Sequence, residues 1–107
     1  MILNFIDTSK MTSLSYLFEK SNFNGDISKW NVRNVTDRKY MFKDSKFNGD
    51  ISKWDVRNVT YMNYMFYASK FNQDISKWNV LKVEDHTSMF DDCPLEVYPQ
   101  QQPKFND

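Results

Sequence analysis

A block of 24 residues repeats along this 107-residue chain without an insertion. The stretch from Phe23 to Thr36 returns as Phe47–Thr60, with a single change of Asn to Asp, and again as Phe71–Val83 with three further changes. One extra residue would move every later side chain out of line with its counterpart, so spacing this strict is typical of units that stack on one another. The repeat therefore predicts a stack of equivalent coils.

Each unit has the pattern of a strand followed by a short helix. Ile27, Trp30 and Val32 have the spacing of a leucine-rich-repeat strand. In the segment Met62–Phe66 the apolar residues fall on one face of a helix of about two turns, and Thr60 is a suitable N-cap for it. We therefore predict an α/β solenoid, a leucine-rich-repeat-like stack of about four 24-residue strand–short helix coils with degenerate terminal caps.

The length of the chain and its single repeat pattern predict one repeat domain over residues 1–107. Prolines cannot donate a hydrogen bond to a further strand, so the prolines after residue 93 predict the end of the ladder. The predicted units are approximately 1–22 as an N-terminal cap unit, then 23–46, 47–70 and 71–94, and 95–107 as a C-terminal cap.

Stacking turns each repeated aromatic residue into a column with a spacing of roughly 4.8 Å. The predicted structural ladder comprises Trp30, Trp54, Trp78, Phe42, Phe66, Phe90, Phe23, Phe47 and Phe71. Tyr16, Tyr40 and Tyr64 form a further column. The high aromatic content, 17% of residues, is therefore interpreted as core and not as a ligand-binding cluster.

Little in the sequence indicates catalysis. The only histidine, His86, is interpreted as a partly exposed helix residue, and the only cysteine, Cys93, as a small corner residue that replaces a serine of the other units. Neither has the partner that a general base or an activated nucleophile requires. We predict that the protein is not an enzyme and needs no cofactor.

Charge and hydropathy exclude two kinds of partner. Lys and Arg together number 14, as do Asp and Glu, so the chain has no overall field that would attract nucleic acid. No run approaches the 18 or more apolar residues of a membrane span, so membrane insertion is not expected. The N-terminus also lacks the basic start and apolar stretch of a signal peptide.

A repeated aspartate, Asp26, Asp50 and Asp74, raises the alternative of calcium binding, because some repeat proteins bind calcium through repeated Asp. Each unit offers only one such carboxylate beside an asparagine, which is a poor ligand set. We interpret the column as turn-forming instead, with each carboxylate accepting backbone N–H bonds.

Departures from the repeat indicate where recognition could occur. The third unit has Tyr61 and Tyr67 at positions that are polar in every other unit, close to Tyr64, and in the following unit Leu81 replaces Arg33 and Arg57. Tyrosine is favoured at interfaces because it buries a large area and keeps a polar tip. Tyr61, Tyr64, Tyr67 and Leu81 are the candidate protein-contact patch, for a partner or for self-association.

The string F-N-x-D-I-S-K-W-[DN]-V-x-[NK]-V-T, followed by M-x-x-M-F, resembles the bacterial surface-protein twenty-six-residue repeat, the BspA-like, leucine-rich-repeat-like family. The resemblance covers roughly residues 6–95. It implies a solenoid on secreted or cell-surface proteins, linked with adhesion and protein binding and without catalytic residues. We therefore expect a protein-binding, adhesion-type module. The alternative is a structural piece that self-assembles and has no separate ligand.

Overall fold

Consecutive units lie side by side, each placing its residues next to their equivalents in the neighbouring unit. The computed structural model describes residues 1–107. Isolated parallel bridges join Ser13 to Asp37, Asp37 to Tyr61 and Tyr61 to Asp85, each a step of 24 residues. The body that results measures 34 × 27 × 20 Å.

The predicted α/β solenoid of strand–helix coils is wrong, and so is the description as a leucine-rich repeat. The chain contains no α-helix and no strand. Its only regular elements are two short 3₁₀ helices, Pro94–Val97 and Pro99–Gln101, in the C-terminal cap. The units are built from β-turns, and the turns of one unit close at Ile27–Trp30, Val32–Val35, Arg38–Met41, Tyr40–Lys43 and Phe42–Ser45.

The predicted helix does not form because every second amide of this segment donates its hydrogen bond to a carbonyl of the neighbouring unit. Met41, Lys43 and Ser45 donate back three residues within the unit. The amides between them, those of Arg38, Tyr40, Phe42 and Asp44, donate to carbonyls of the next unit at 2.8–3.0 Å. An α-helix would need all of them for bonds four residues back. The apolar residues keep a helix-like spacing, but the hydrogen bonds alternate between the residue's own unit and the next unit.

The predicted strand is interrupted by two turns. The amide of Trp30 donates to the carbonyl of Ile27 at 3.2 Å, and that of Val35 to Val32 at 3.0 Å. The four side chains still point into the core and are buried. The apolar spacing therefore indicated which residues face inward, although the backbone between them is not extended.

The threonine predicted to cap a helix belongs instead to a ladder between units. Thr60 donates its amide to the carbonyl of Thr36 at 2.8 Å, Thr36 donates to Thr12 at 2.9 Å, and Glu84 donates to Thr60 at 2.8 Å. The position therefore links neighbouring units, and there is no helix for it to begin.

The core contains the tryptophan and phenylalanine columns together with the repeated isoleucines, valines and methionines. Trp30, Trp54 and Trp78 are 7%, 4% and 5% exposed, and the rings of the first two stack 6.4 Å apart. Each indole Nε1 donates to a carbonyl of the preceding unit, at 2.8–3.1 Å. The phenylalanines of the predicted ladder are buried as well, except for Phe23, which is partly exposed.

The C-terminal cap closes part of the last unit. The carbonyl of Gln101 accepts the amide of Ile75 at 3.0 Å, and the side chain of Gln102 donates to the carbonyl of Leu95 at 2.7 Å. Leu95 is fully buried. The cap thereby occupies the position that the next unit would otherwise take beside Ile75.

Candidate functional site

The tyrosine column lies on the surface and not in the core, which corrects the interpretation from the sequence. Tyr16 and Tyr40 stack with ring centroids 4.8 Å apart and planes 5° apart, and Tyr40 and Tyr64 do so at 4.9 Å and 2°. Tyr16 is 48% exposed, and the other two are half-buried. Together with Tyr61 and Tyr67, these residues are called the tyrosine face below.

The backbone holds this column in register. Tyr16, Tyr40 and Tyr64 have φ angles of 64°, 60° and 59°, in the left-handed region that residues other than glycine seldom adopt. The three amides donate to carbonyls of the next unit, at 2.9–3.1 Å. The backbone that carries each ring is thus held by a hydrogen bond to the next unit. Ser88 has the same conformation in the last unit, with φ 52°, and the column ends there.

The predicted contact residues are only partly brought together. The rings of Tyr64 and Tyr67 are in contact, 5.5 Å apart and tilted by 52°. Tyr61 is 44% exposed and has no ring contact with either. Leu81 is 65% exposed but lies in a different turn, Val80–Val83. The contact that the structure shows within the predicted patch is therefore that of Tyr64 with Tyr67.

Two lysines that the sequence analysis overlooked complete this surface. Lys43 Nζ lies 5.8 Å from the ring centroid of Tyr40 and 5.9 Å from that of Tyr67. Lys39 Nζ lies 5.9 Å from the ring centroid of Tyr61. A cation over an aromatic face is attracted by the ring quadrupole. The repeat could have indicated Lys43, because this lysine occupies in its unit the position that Tyr67 occupies in the next unit.

Arg38 was also overlooked, and it lies in the core. Its side chain is 0% exposed, Nη2 donates to the carbonyl of Val32 at 3.4 Å, and Nε and Nη1 have no partner. The guanidinium carbon lies 4.9 Å from the ring centroid of Trp54. Burial lowers the pKa of Arg38 to about 9, against the opposing effect of the Asp55 charge. Because the Arg38 side chain is inaccessible to solvent, it is part of the packed core and not of a binding site.

His86 and Cys93 each have their own partners. His86 Nε2 lies 2.7 Å from a carboxylate oxygen of Asp107, and its ring stacks on Phe105 with centroids 3.8 Å apart. Cys93 is 5% exposed, and its thiol donates to the carbonyl of Phe71 at 3.2 Å. Burial raises the pKa of the Cys93 thiol, which disfavours the thiolate that a nucleophile needs. His86 is half-buried, but it is not in a helix.

The repeated aspartates act as turn formers. The carboxylates accept the backbone N–H two residues later in the pairs Asp26–Ser28, Asp50–Ser52 and Asp74–Ser76, at 2.9, 3.0 and 2.9 Å. Hydrogen bonds from these serines lower the pKa of all three carboxyl groups. The structure has no group of three or more His, Cys, Asp or Glu side chains arranged to hold a metal ion.

Comparison with known proteins places the chain in a family without assigning it an activity. No helix here has the length and hydrophobicity required to cross a membrane. No curated protein and no solved structure matches the chain. One family model, described as "Mycoplasma protein of unknown function, DUF285", matches residues 2–101, which include every copy of the repeat. The chain therefore belongs to DUF285, a bacterial repeat family.

Proposed function

We propose that this domain is a non-enzymatic protein-binding module and that the tyrosine face contacts its partner. The observation that carries the proposal is the ordered, partly exposed stack of Tyr16, Tyr40 and Tyr64, at 4.8 and 4.9 Å, beside Tyr61 and Tyr67. Tyrosine is enriched at protein interfaces because its ring buries apolar area and its hydroxyl still finds a hydrogen-bond partner.

Preorganisation supports this choice of surface. Binding costs free energy when side chains become ordered, roughly 0.5–1.5 kcal/mol for each flexible side chain. Stacking on the neighbouring ring already restricts Tyr40 and Tyr64, and their backbone is fixed by hydrogen bonds to the next unit. A partner that docks on these rings therefore binds with only a small further loss of side-chain conformational entropy. Lys39 and Lys43 supply donors beside the rings for acidic or carbonyl groups of the partner.

The resemblance of the repeat motif to BspA-like surface repeats supports the same proposal, since that family is linked with adhesion and protein binding. On this proposal the domain acts outside the cell or at its surface, and the fixed positions of the repeat provide the framework. The variable positions of one unit, Tyr61 and Tyr67, provide the specificity.

The test replaces Tyr61 with Asp and Tyr67 with Lys, the residues at those positions in the preceding unit. The matched control is Leu81→Arg, which likewise restores the residue of the two preceding units but in a separate turn. Each immobilised chain captures proteins from cell extract, and a captured protein is then purified and titrated by calorimetry. We expect the parent and Leu81→Arg to bind it equally, and the double variant to bind at least about tenfold more weakly.

Thermal unfolding shows whether the double variant keeps the parental fold. Equal binding by a folded double variant would refute the tyrosine face as the contact surface. Light scattering at micromolar concentration distinguishes the other arrangement. If the parent self-associates and the double variant does not, the tyrosine face is a contact between copies, and the proposal of a separate partner is wrong.

A further inference from the structure

The last unit has backbone donors without a partner. Each of the three junctions between units contains four amide-to-carbonyl bonds of 2.8–3.1 Å, spaced two residues apart. The donors are Leu14, Tyr16, Phe18 and Lys20, then Arg38, Tyr40, Phe42 and Asp44, then Met62, Tyr64, Phe66 and Ala68. The equivalent residues of the last unit are His86, Ser88, Phe90 and Asp92. The first three amides have no partner in the chain, whereas Asp92 donates to Glu96 Oε1 at 3.3 Å.

The three residues that carry these amides line a groove of about 250 Å³. The groove is lined by His86 and Ser88–Asp91 of the last unit together with Glu96, Gln102 and Phe105 of the C-terminal cap. At every junction such donors pair with carbonyls at every second residue of a segment that is itself folded into turns, so a segment with the same turns would match the donors beside this groove.

The groove lies in the acidic part of the molecule. Residues 84–107 contain six acidic side chains and one basic side chain, although the whole chain has equal numbers of both. Asp91 and Glu96 line the groove itself, and both are exposed. A segment that carries Lys or Arg would therefore be attracted to this end of the stack.

We propose that this groove binds a basic peptide segment of a partner protein that folds into the same turns as a repeat unit, and that its carbonyls accept the free amides of His86, Ser88 and Phe90. The segment adds to the last unit in the way that each unit adds to the one before it. This site lies at the end of the stack, so it goes beyond the tyrosine face and does not depend on it.

A second copy of the chain fits the groove poorly. The carbonyl of Gln101 accepts the amide of Ile75, as the carbonyl of Asp26 accepts that of Leu3 at the first junction. The cap therefore fills the place that the first residues of another copy would need. Phe105 likewise stacks on His86, where the next unit would otherwise continue the stack. A single short segment can enter beside the cap, whereas a whole unit cannot.

The probe is a synthetic peptide with the sequence of residues 36–45, TDRKYMFKDS. In the folded chain the carbonyls of Asp37, Lys39 and Met41 accept this same set of donors from the first unit. The control peptide, TDEEYMFEDS, replaces the three basic residues with Glu. The full-length chain, labelled with ¹⁵N, is titrated with each. We expect saturable shifts at the amides of His86, Ser88 and Phe90 with a dissociation constant below ~1 mM, and no saturation with the control.

A variant with Asp91→Asn and Glu96→Gln keeps the acceptor for Asp92 and removes both charges from the groove. We expect it to bind the probe about fivefold more weakly, whereas Asp74→Asn, outside the groove, binds as the parent does. Equal affinity for the two peptides, shifts confined to other residues, or no saturable binding would each overturn the proposal. So would concentration-dependent shifts of the three amides without peptide, because the occupant would then be a second copy. The Tyr61→Asp, Tyr67→Lys chain should still bind the probe, which separates this test from that of the tyrosine face.

Discussion

Arg38 occupies a position that is leucine in the first unit and methionine in the third, and it is as deeply buried as they are. Its Nε and Nη1 have no partner, and leaving a buried donor unpaired costs roughly 1–3 kcal/mol. The contact with the Trp54 ring offsets only part of this, since a cation over an aromatic ring contributes about 1–2 kcal/mol. The residue therefore destabilises the fold that contains it.

Replacing Arg38 with Met, the residue at this position in the third unit, should raise the free energy of unfolding by about 2–4 kcal/mol, because an apolar side chain of similar length removes the unpaired buried donors. Urea denaturation followed by tryptophan fluorescence measures the change. Arg33→Met, at an exposed arginine five residues earlier, is the control and should alter stability by less than about 0.5 kcal/mol. A stability of Arg38→Met equal to or below that of the parent would contradict the prediction.

The same substitution has a pH dependence with a definite sign. Burial lowers the pKa of Arg38 to about 9 in the folded state, well below its ordinary value in the unfolded chain. The cost of burying the charge is therefore fully present below pH 9 and is progressively relieved as the pH rises above it. The difference in unfolding free energy between Arg38→Met and the parent should narrow as the pH rises from about 9 to about 10.5. A constant difference would show that Arg38 keeps its proton.

At the scale of the element, the sequence indicated the buried residues but not the backbone that carries them. Met62, Met65 and Phe66 are buried as their spacing predicted. That spacing suits a helix, but it equally suits two successive turns, so periodicity alone cannot distinguish them. The difference lies in the alternate amides, which bond to the next unit. Such bonds exist only in the stack and leave no signal in the local sequence.

The turns also require left-handed residues, and no glycine supplies them. Eight residues other than glycine have a positive φ, among them Lys20 at 58°. The left-handed region costs a residue with a Cβ roughly 1–2 kcal/mol, whereas glycine adopts it freely. Lys20→Gly should therefore stabilise the chain by about 0.5–1 kcal/mol.

Lys70→Gly is the control for Lys20→Gly, because Lys70 is also an exposed lysine but has no positive φ. It should destabilise the chain by about 0.5–1 kcal/mol through the added freedom of the unfolded state. Both changes are measured by urea denaturation. If the two substitutions shift stability in the same direction, the left-handed conformation at Lys20 is not the source of the effect.

At the scale of the whole molecule, the repeat identified which residues stack but not which columns face solvent. Tyr16, Tyr40 and Tyr64 repeat as regularly as the tryptophans, and for this reason they were interpreted as core. Their exposure follows from the direction of each turn, which depends on the left-handed backbone at the tyrosines themselves. The free amides of the last unit could not be predicted from the sequence either, because only the stacked structure shows which donors lack a partner.

The aspartate column gives a prediction about metal. Chelation with EDTA should leave the melting temperature unchanged, because Asp26, Asp50 and Asp74 bond to backbone amides of their own turns. Asp50→Asn should keep the parental stability, since Asn31 and Asn79 accept amides in the same way elsewhere in the chain, both at 3.2 Å. Asp50→Ala should lose up to about 1 kcal/mol. A fall of several degrees with EDTA that calcium reverses would establish a calcium site.

The contacts between units have a consequence for how genes of this kind change length. Because the hydrogen bonds and ring stacks join positions that are equivalent or nearly so in successive units, a tandem duplication of 24 codons inserts a unit whose two sides meet partners that already fit. Neither end of the protein has to change when the array grows or shrinks. A duplicated unit is then free to diverge at its surface positions, as the unit with Tyr61 and Tyr67 has done. Diversity of recognition can thus arise by copying, without a new fold.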